Sequence, residues 1–127
     1  MVKKPSSGLV LFAHGSRDAR WKSPFMALEK KMASRLPGAL VKAAFLQDCE
    51  PKIHDVVDSM AAKGLNRITV IPMFLAVGAH SANDFPKIAE RLRAAHPGVE
   101  IEWTEVIGQW EEAQDALAET MTAQLAR

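Results

Sequence analysis

The chain has 127 residues, of which 48% are hydrophobic, which is the size and composition of one globular domain. Sixteen basic and 15 acidic side chains leave a net charge of +1, which excludes the electropositive footprint of a nucleic-acid-binding domain. A single cysteine, Cys49, excludes an internal disulfide and a Cys-rich metal centre, and it favours a reducing, cytoplasmic location.

Short apolar runs alternate with amphipathic patterns along the chain. The predicted strands cover residues 9–13, 39–46, 67–72 and 99–103. The predicted helices begin with Ser23 as N-cap before Pro24, at Pro51, near Asn83 and at Trp110. The first run is too short to span a membrane, so no membrane association is expected. We interpret residues 1–7 as a flexible tail ahead of a single domain over residues 8–127.

The alternation of strands and helices predicts an α/β fold with a parallel sheet covered by helices on both faces. Strands one and three are the most uniformly apolar, so they belong in the centre, whereas strands two and four carry charges and fit the edges. Right-handed crossovers then give a doubly wound four-stranded sheet in the order 2-1-3-4. The winding reverses between strands one and three.

Two histidines follow these two central strands. His14 closes the first apolar run, and His80 lies in the segment after the third. Ligands of α/β proteins bind at the carboxyl ends of strands, so both imidazoles are expected to face the switch-point crevice. Neutral imidazole binds divalent first-row metals and can accept a proton. We therefore predict a metal-binding or proton-transfer site, the alternative being histidines that only hydrogen-bond the next loop.

Other side chains at this edge could contribute. The carboxylates expected there are Asp48, Glu50, Asp84 and Glu105. Glu50 is a candidate proton acceptor, although an acidic group before Pro51 also suits the start of a helix. The cations Arg17, Arg20 and Lys22 form either a solvated patch or a surface for an acidic substrate. Residues 72–79 are apolar, which fits a strand extension, an apolar wall for a flat ligand, or a subunit interface.

Three segments of the chain are informative in their order and spacing: residues 13–17 (AHGSR), 45–51 (FLQDCEP) and 72–86 (PMFLAVGAHSANDFP). Together they resemble the short-form CbiX-type sirohydrochlorin chelatases, which are class II chelatases that insert cobalt or iron into a tetrapyrrole. The resemblance runs from about Gly8 to the C-terminus. It implies a single chelatase-like domain, which corresponds to one flavodoxin-like half of the longer chelatases. It implies that His14 and His80 bind the metal and that Glu50 occupies the acidic position of a Glu-Pro segment.

The resemblance also implies a lyase that inserts a divalent metal into sirohydrochlorin for cobalamin or siroheme biosynthesis. The metal would be Co²⁺, or alternatively Fe²⁺ or Ni²⁺, and no organic cofactor is implied. Longer relatives have two α/β halves facing a cleft, so a single half is expected to form a homodimer. The residues expected to contact the tetrapyrrole are Arg17, Met73, Phe74, Leu75 and Gly78.

Two other functions stay open at this point. A non-catalytic protein could bind a metal or a tetrapyrrole in the same histidine crevice without turnover. A phosphoryl-transfer enzyme could use His14 as a nucleophile beside Gly15 and Arg17, but the clustered arginines that such a site needs are lacking.

Overall fold

The computed structural model describes residues 5–126, and over them strands and helices alternate in the predicted order. The strands are Ser7–Ala13 (β1), Ala39–Phe45 (β2), Arg67–Pro72 (β3) and Glu100–Trp103 (β4). The helices are Ala19–Arg35 (α1), Ile53–Ala62 (α2), Ala79–Ala95 (α3) and Glu111–Leu125 (α4), with a 3-10 turn at Ile107–Gln109 before α4. No helix in this part of the chain is both long and apolar enough to cross a membrane.

The strands form one parallel sheet in the order β2-β1-β3-β4, which confirms the predicted topology. The central strands β1 and β3 are neighbours, and Leu9 of β1 pairs with Val41 on one side and Thr69 on the other. The chain winds in one direction from β1 to β2 and in the other from β3 to β4. The carboxyl ends of β1 and β3 therefore meet at the predicted switch point.

The alternation of side chains along β1 divides the core into two layers. Val10 and Phe12 are fully buried on the face that α2 and α3 cover. The helical side chains on this face include Val57, Met60, Ile88 and Leu92. Leu9 and Leu11 point to the opposite face, where they belong to a smaller cluster with Leu28 of α1. The apolar character of β1 on both faces thus places it at the centre of the domain.

The first strand begins closer to the amino terminus than the sequence predicts, at Ser7. Of the predicted tail over residues 1–7, residues 1–4 lie outside the described part of the chain. The Ser6 N–H donates to the Gly38 carbonyl at 3.1 Å, and Ser7 pairs with Ala39 as the first residue of β1. Backbone pairing with the neighbouring strand therefore extends β1 beyond its apolar run.

Two helices begin about one turn earlier than predicted. The start of α1 at Pro24 is wrong, because the Asp18 carboxylate accepts the N–H of Arg20 at 2.8 Å and caps the helix ahead of it. The start of α3 near Asn83 is also wrong, since the helix begins at Ala79. A proline early in a helix removes one backbone hydrogen bond, and a turn can still form ahead of it. His80 consequently lies in the first turn of α3 instead of a loop.

The last helix does not pack as its sequence pattern predicts. No residue of α4 within the described chain is buried, and its main neighbour is the preceding 3-10 turn. The apolar side chains Leu117, Met121 and Leu125, here called the α4 stripe, are 46%, 62% and 89% exposed. On the face of the sheet that α1 covers, Thr69 and Ile71 of β3 are only half-buried. Within residues 5–126, one helix face and part of one sheet face are thus left without a partner.

Candidate metal-binding site

His14 is the first residue after β1, and its imidazole is exposed. Its Nδ1 lies 3.1 Å from the Gly15 carbonyl oxygen, and since a carbonyl can only accept, Nδ1 carries the hydrogen and donates it. The lone pair is then on Nε2, which lies 3.3 Å from the amide nitrogen of Gln47. Nε2 of His14 is therefore the atom that can bind a metal or accept a proton, and the Gln47 amide donates to it.

Gly15 holds the loops after β1 and β2 side by side. It is buried with a φ of +105°, and a Cβ at this position would lie 1.7 Å from the Gln47 carbonyl oxygen. A residue with a side chain would be strained by its backbone conformation and would also clash. The Gln47 N–H donates to the His14 carbonyl at 3.1 Å. This close approach brings the Gln47 side chain to His14.

His80 lies in the first turn of α3, at the same edge of the sheet, after the strand that neighbours β1. Its side chain is exposed and forms no hydrogen bond within residues 5–126. An open cavity of about 220 Å³ lies between α3 and the end of β4, and the residues on its wall include Ser81, the next residue after His80. Its lining also includes Phe85, Trp103 and Glu105. Both imidazoles are thus accessible to a ligand arriving at this edge.

Glu50 is engaged by a neighbour on its own loop. Its side chain is 71% exposed, and its Oε1 lies 2.8 Å from Nζ of Lys52. The hydrogen bond from Lys52 lowers the pKa of Glu50 below its ordinary value and raises the pKa of Lys52. The carboxylate is therefore ionised near neutral pH, and its second oxygen remains available to a proton or a cation while Oε1 accepts from Lys52.

The carboxylates predicted at this edge do not form a cluster with the histidines within residues 5–126. Over residues 5–126, no three His, Cys, Asp or Glu side chains come together to hold a metal ion. Asp48 instead faces Arg17, with 3.9 Å between Oδ1 and Nε. Asp84 lines a separate cavity beside Gln47, and Glu105 lines the cavity near His80. These carboxylates extend from separate loops and helix ends, and each has its own surroundings.

The apolar segment after β3 divides into an inner and an outer part. Phe74 packs into the core with its ring centroid 5.2 Å from that of Phe85, and Met73 is half-buried in the layer beneath α1. Both fit the interpretation of residues 72–79 as an extension of the strand. Leu75 is 74% exposed, and Val77 is also exposed. The outer part, together with Gly78 at the start of α3, is the portion that can face a ligand or a second subunit.

The cations after β1 have different surroundings. Arg20 is held by Asp18, with 2.7 Å between Nη2 and Oδ2, and this hydrogen bond lowers the pKa of Asp18. The ammonium of Lys22 lies 5.7 Å from the ring centroid of Phe45, a cation–π distance. Arg17 is 90% exposed with only the long contact to Asp48. Of the three, Arg17 is the most available to an acidic ligand.

The sequence analysis did not single out Gln47, Lys87 or Arg91 as residues near the site. Gln47 reaches His14 across the two loops, and all three residues line a second cavity of about 260 Å³ between the β2–α2 loop and α3. The polar character of residue 47 directly after a strand was the one available indication. The cavity itself depends on how α3 packs, which the local pattern does not reveal.

The doubly wound half-domain, with exposed imidazoles after its two central strands, defines a protein of the chelatase-like α/β class. The CbiX family model matches residues 8–124, and the chain belongs to the CbiX family.

Several solved structures are similar to this chain. A CbiX protein from Marinobacter aquaeolei VT8 is 34% identical, with 95% of this chain and 98% of that chain covered and a TM-score of 0.83. The sirohydrochlorin chelatase SirB from Bacillus subtilis subspecies spizizenii, in complex with cobalt, is 25% identical with a TM-score of 0.76. That match covers 93% of this chain and 50% of SirB, so this chain corresponds to half of SirB.

The sirohydrochlorin cobaltochelatase of Sulfurisphaera tokodaii is 30% identical over 112 residues, which is 88% of each protein. Three other sirohydrochlorin cobaltochelatases, from Methanopyrus kandleri, Methanosarcina barkeri and Methanocaldococcus jannaschii, are matched over 61–62% of their own length.

Proposed function

We propose that this protein is a chelatase that inserts a divalent metal ion into sirohydrochlorin, with Co²⁺ as the first choice and Fe²⁺ or Ni²⁺ as alternatives. The observation that carries the proposal is the pair of exposed imidazoles, His14 and His80, after the two central strands of a CbiX-family domain. The relatives named sirohydrochlorin cobaltochelatases and the cobalt complex of SirB support the choice of substrates.

His14 and His80 bind the metal ion, which is a substrate of the reaction. Metal insertion requires a cation that is held and then released, because the pyrrole nitrogens must replace its protein ligands. Two imidazoles leave most coordination positions to water and to the incoming macrocycle. A closed Cys-rich site would hold the ion too tightly, and the chain has only one cysteine. Nε2 of His14 is the donor atom on the first loop.

Each imidazole takes up a pyrrole proton after it has released the metal ion to the macrocycle, because its one lone pair cannot hold a cation and a proton at the same time. A free tetrapyrrole carries two inner N–H protons that must leave as the metal enters. Imidazole has an ordinary pKa near neutrality, which suits a proton acceptor at that pH. Glu50 is the second acceptor. A carboxylate is a weaker base than imidazole, and the hydrogen bond from Lys52 lowers the pKa of Glu50 further. We therefore assign the first proton transfer to histidine.

The macrocycle is placed against the exposed apolar residues beside the histidines. Leu75 and Gly78 are the accessible members of the predicted contact set from the segment after β3. Arg17, exposed on the loop after β1, is the cation for an acidic side chain. Met73 and Phe74 support this wall from beneath, because both are partly covered by the core.

A homodimer would supply the second wall. The chain matches half of SirB, and its α4 stripe has no partner within the described chain. A second copy related by two-fold symmetry would double the two histidines and provide apolar surface to cover the stripe.

We place the protein in the cytoplasm, in the synthesis of cobalamin or siroheme.

The test is an insertion assay with purified protein. Sirohydrochlorin is mixed with Co²⁺, Fe²⁺ or Ni²⁺ in turn, and the change in its absorption spectrum is followed with and without protein. We expect many equivalents of macrocycle to be metallated per protein chain with at least one metal. A non-catalytic binding protein would instead give a spectral change that stops at one equivalent, and that result would overturn the proposal.

A further inference from the structure

The second cavity lies next to the proposed metal site and has a mostly polar lining. It occupies about 260 Å³ between the β2–α2 loop and α3. The lining residues are Leu46, Gln47, Asp84, Lys87, Ile88 and Arg91. Gln47 forms one wall, and its amide nitrogen is 3.3 Å from Nε2 of His14. A group bound in this cavity is therefore one side chain away from the metal-binding nitrogen.

Two cations face this cavity without a carboxylate partner. Lys87 and Arg91 are four positions apart in α3, so they lie on one face of the helix, one turn after the other. Neither forms an ion pair with any carboxylate of residues 5–126, including Asp84 on the same wall. By contrast, Arg20 and Lys52, which also lie at this edge of the sheet, are each held by a neighbouring carboxylate.

We propose that Lys87 and Arg91 bind a carboxylate side chain of the tetrapyrrole and thereby fix its orientation over His14. The inference rests on the proposed function, because sirohydrochlorin carries many carboxylates around its rim. An arginine can hold a carboxylate through two parallel N–H donors, and a lysine adds a mobile positive charge. The Gln47 amide on the opposite wall offers a further donor. Lys87 and Arg91 are thus specificity-determining residues for an acidic macrocycle.

The test measures binding of metal-free sirohydrochlorin, which separates this subsite from metal chemistry. The double variant Lys87→Gln/Arg91→Gln is compared with the unchanged protein by quenching of the fluorescence of the macrocycle. We expect Kd to rise about tenfold, since each exposed ion pair contributes a factor of up to about five. Affinity for Co²⁺ alone and the circular dichroism spectrum should stay unchanged, because neither cation contacts a histidine in the described hydrogen bonds.

The matched control is Lys30→Gln/Arg35→Gln, which removes the same two charges from α1, toward the opposite edge of the sheet. Its Kd for sirohydrochlorin should stay within about twofold of the unchanged protein. An unchanged Kd in the Lys87/Arg91 variant, or an equal rise in the control, would overturn the subsite and leave the proposed function standing. If the unchanged protein neither binds nor metallates sirohydrochlorin, the proposed function fails and the subsite fails with it.

Discussion

At the scale of single residues, the chemistry of His14 is set by its two hydrogen-bond partners. The Gly15 carbonyl holds the hydrogen on Nδ1, which leaves Nε2 as the reactive atom. The Gln47 amide donates to that atom, so an incoming metal ion must displace it. The affinity of His14 for a metal ion therefore depends on how readily the cation displaces the Gln47 N–H from Nε2.

Replacing Gln47 should reveal this competition. In Gln47→Ala the donor is lost, and we expect Co²⁺ to bind about two- to fivefold more tightly, since a net hydrogen bond at an exposed site contributes at the lower end of roughly 0.5–1.5 kcal/mol. Titration calorimetry with Co²⁺ measures the change. Gln124→Ala, on the exposed surface of α4, is the control. Weaker binding in Gln47→Ala would mean that Gln47 is itself a metal ligand.

Gly15 should prove the least replaceable glycine of the site. Gly15→Ala places a Cβ 1.7 Å from the Gln47 carbonyl at a φ of +105°. We expect a loss of more than about 2 kcal/mol in the free energy of unfolding, because backbone strain and a clash with main-chain atoms add together. Urea denaturation measures it. Gly98→Ala, where a Cβ would meet nothing within 4 Å, should change stability little, and equal stability of the two variants would contradict this role.

At the scale of elements, the sheet could be predicted from the sequence, whereas helix starts and helix packing could not. Apolar runs without charge are a local property, and they correctly place β1 and β3 at the centre. Pro24 was a misleading start for α1 because Asp18, a residue of the preceding loop, caps the helix earlier. The spacing of Leu117 and Met121 predicts an amphipathic helix, but it does not say which surface the apolar side covers.

The α4 stripe should control the oligomeric state. We expect a dimer by light scattering, and a monomer for Met121→Glu/Leu125→Glu, because two buried charges without partners would oppose association. The fold should survive, since both side chains are exposed in the single chain. Ala116→Glu/Ala123→Glu introduces the same charges on the other face of α4 and should stay dimeric. A monomeric unchanged protein, or a dimeric Met121/Leu125 variant, would contradict the role of the stripe.

At the scale of the whole molecule, residues 5–126 form one α/β domain, and the chain matches 50% of SirB. The position of His14 could be predicted, because a residue directly after a buried strand is placed by the fold itself. For His80 the edge of the sheet could be predicted, but not its place in the first turn of α3. The surroundings of the two histidines could not be predicted. Gln47 lies 33 positions from His14, and the two meet only because adjacent parallel strands bring their loops together. The cavity at Lys87 and Arg91 likewise requires the packing of α3 beside a distant loop.

The initial rate of Co²⁺ insertion into sirohydrochlorin, measured for His14→Ala and His80→Ala, tests most directly whether these imidazoles carry the reaction. Both side chains are exposed, so the fold should survive, as circular dichroism can verify. We predict a fall of about 10²- to 10⁴-fold, the usual effect of losing a general base, together with weaker Co²⁺ binding. His54 is an exposed histidine of α2, and His54→Ala should react at the rate of the unchanged protein. His96 is a poor control because its Nε2 lies 2.7 Å from Oδ1 of Asp58, so its replacement would also remove a hydrogen bond. Near-normal rates and metal affinity in His14→Ala and His80→Ala would contradict the assignment of the site.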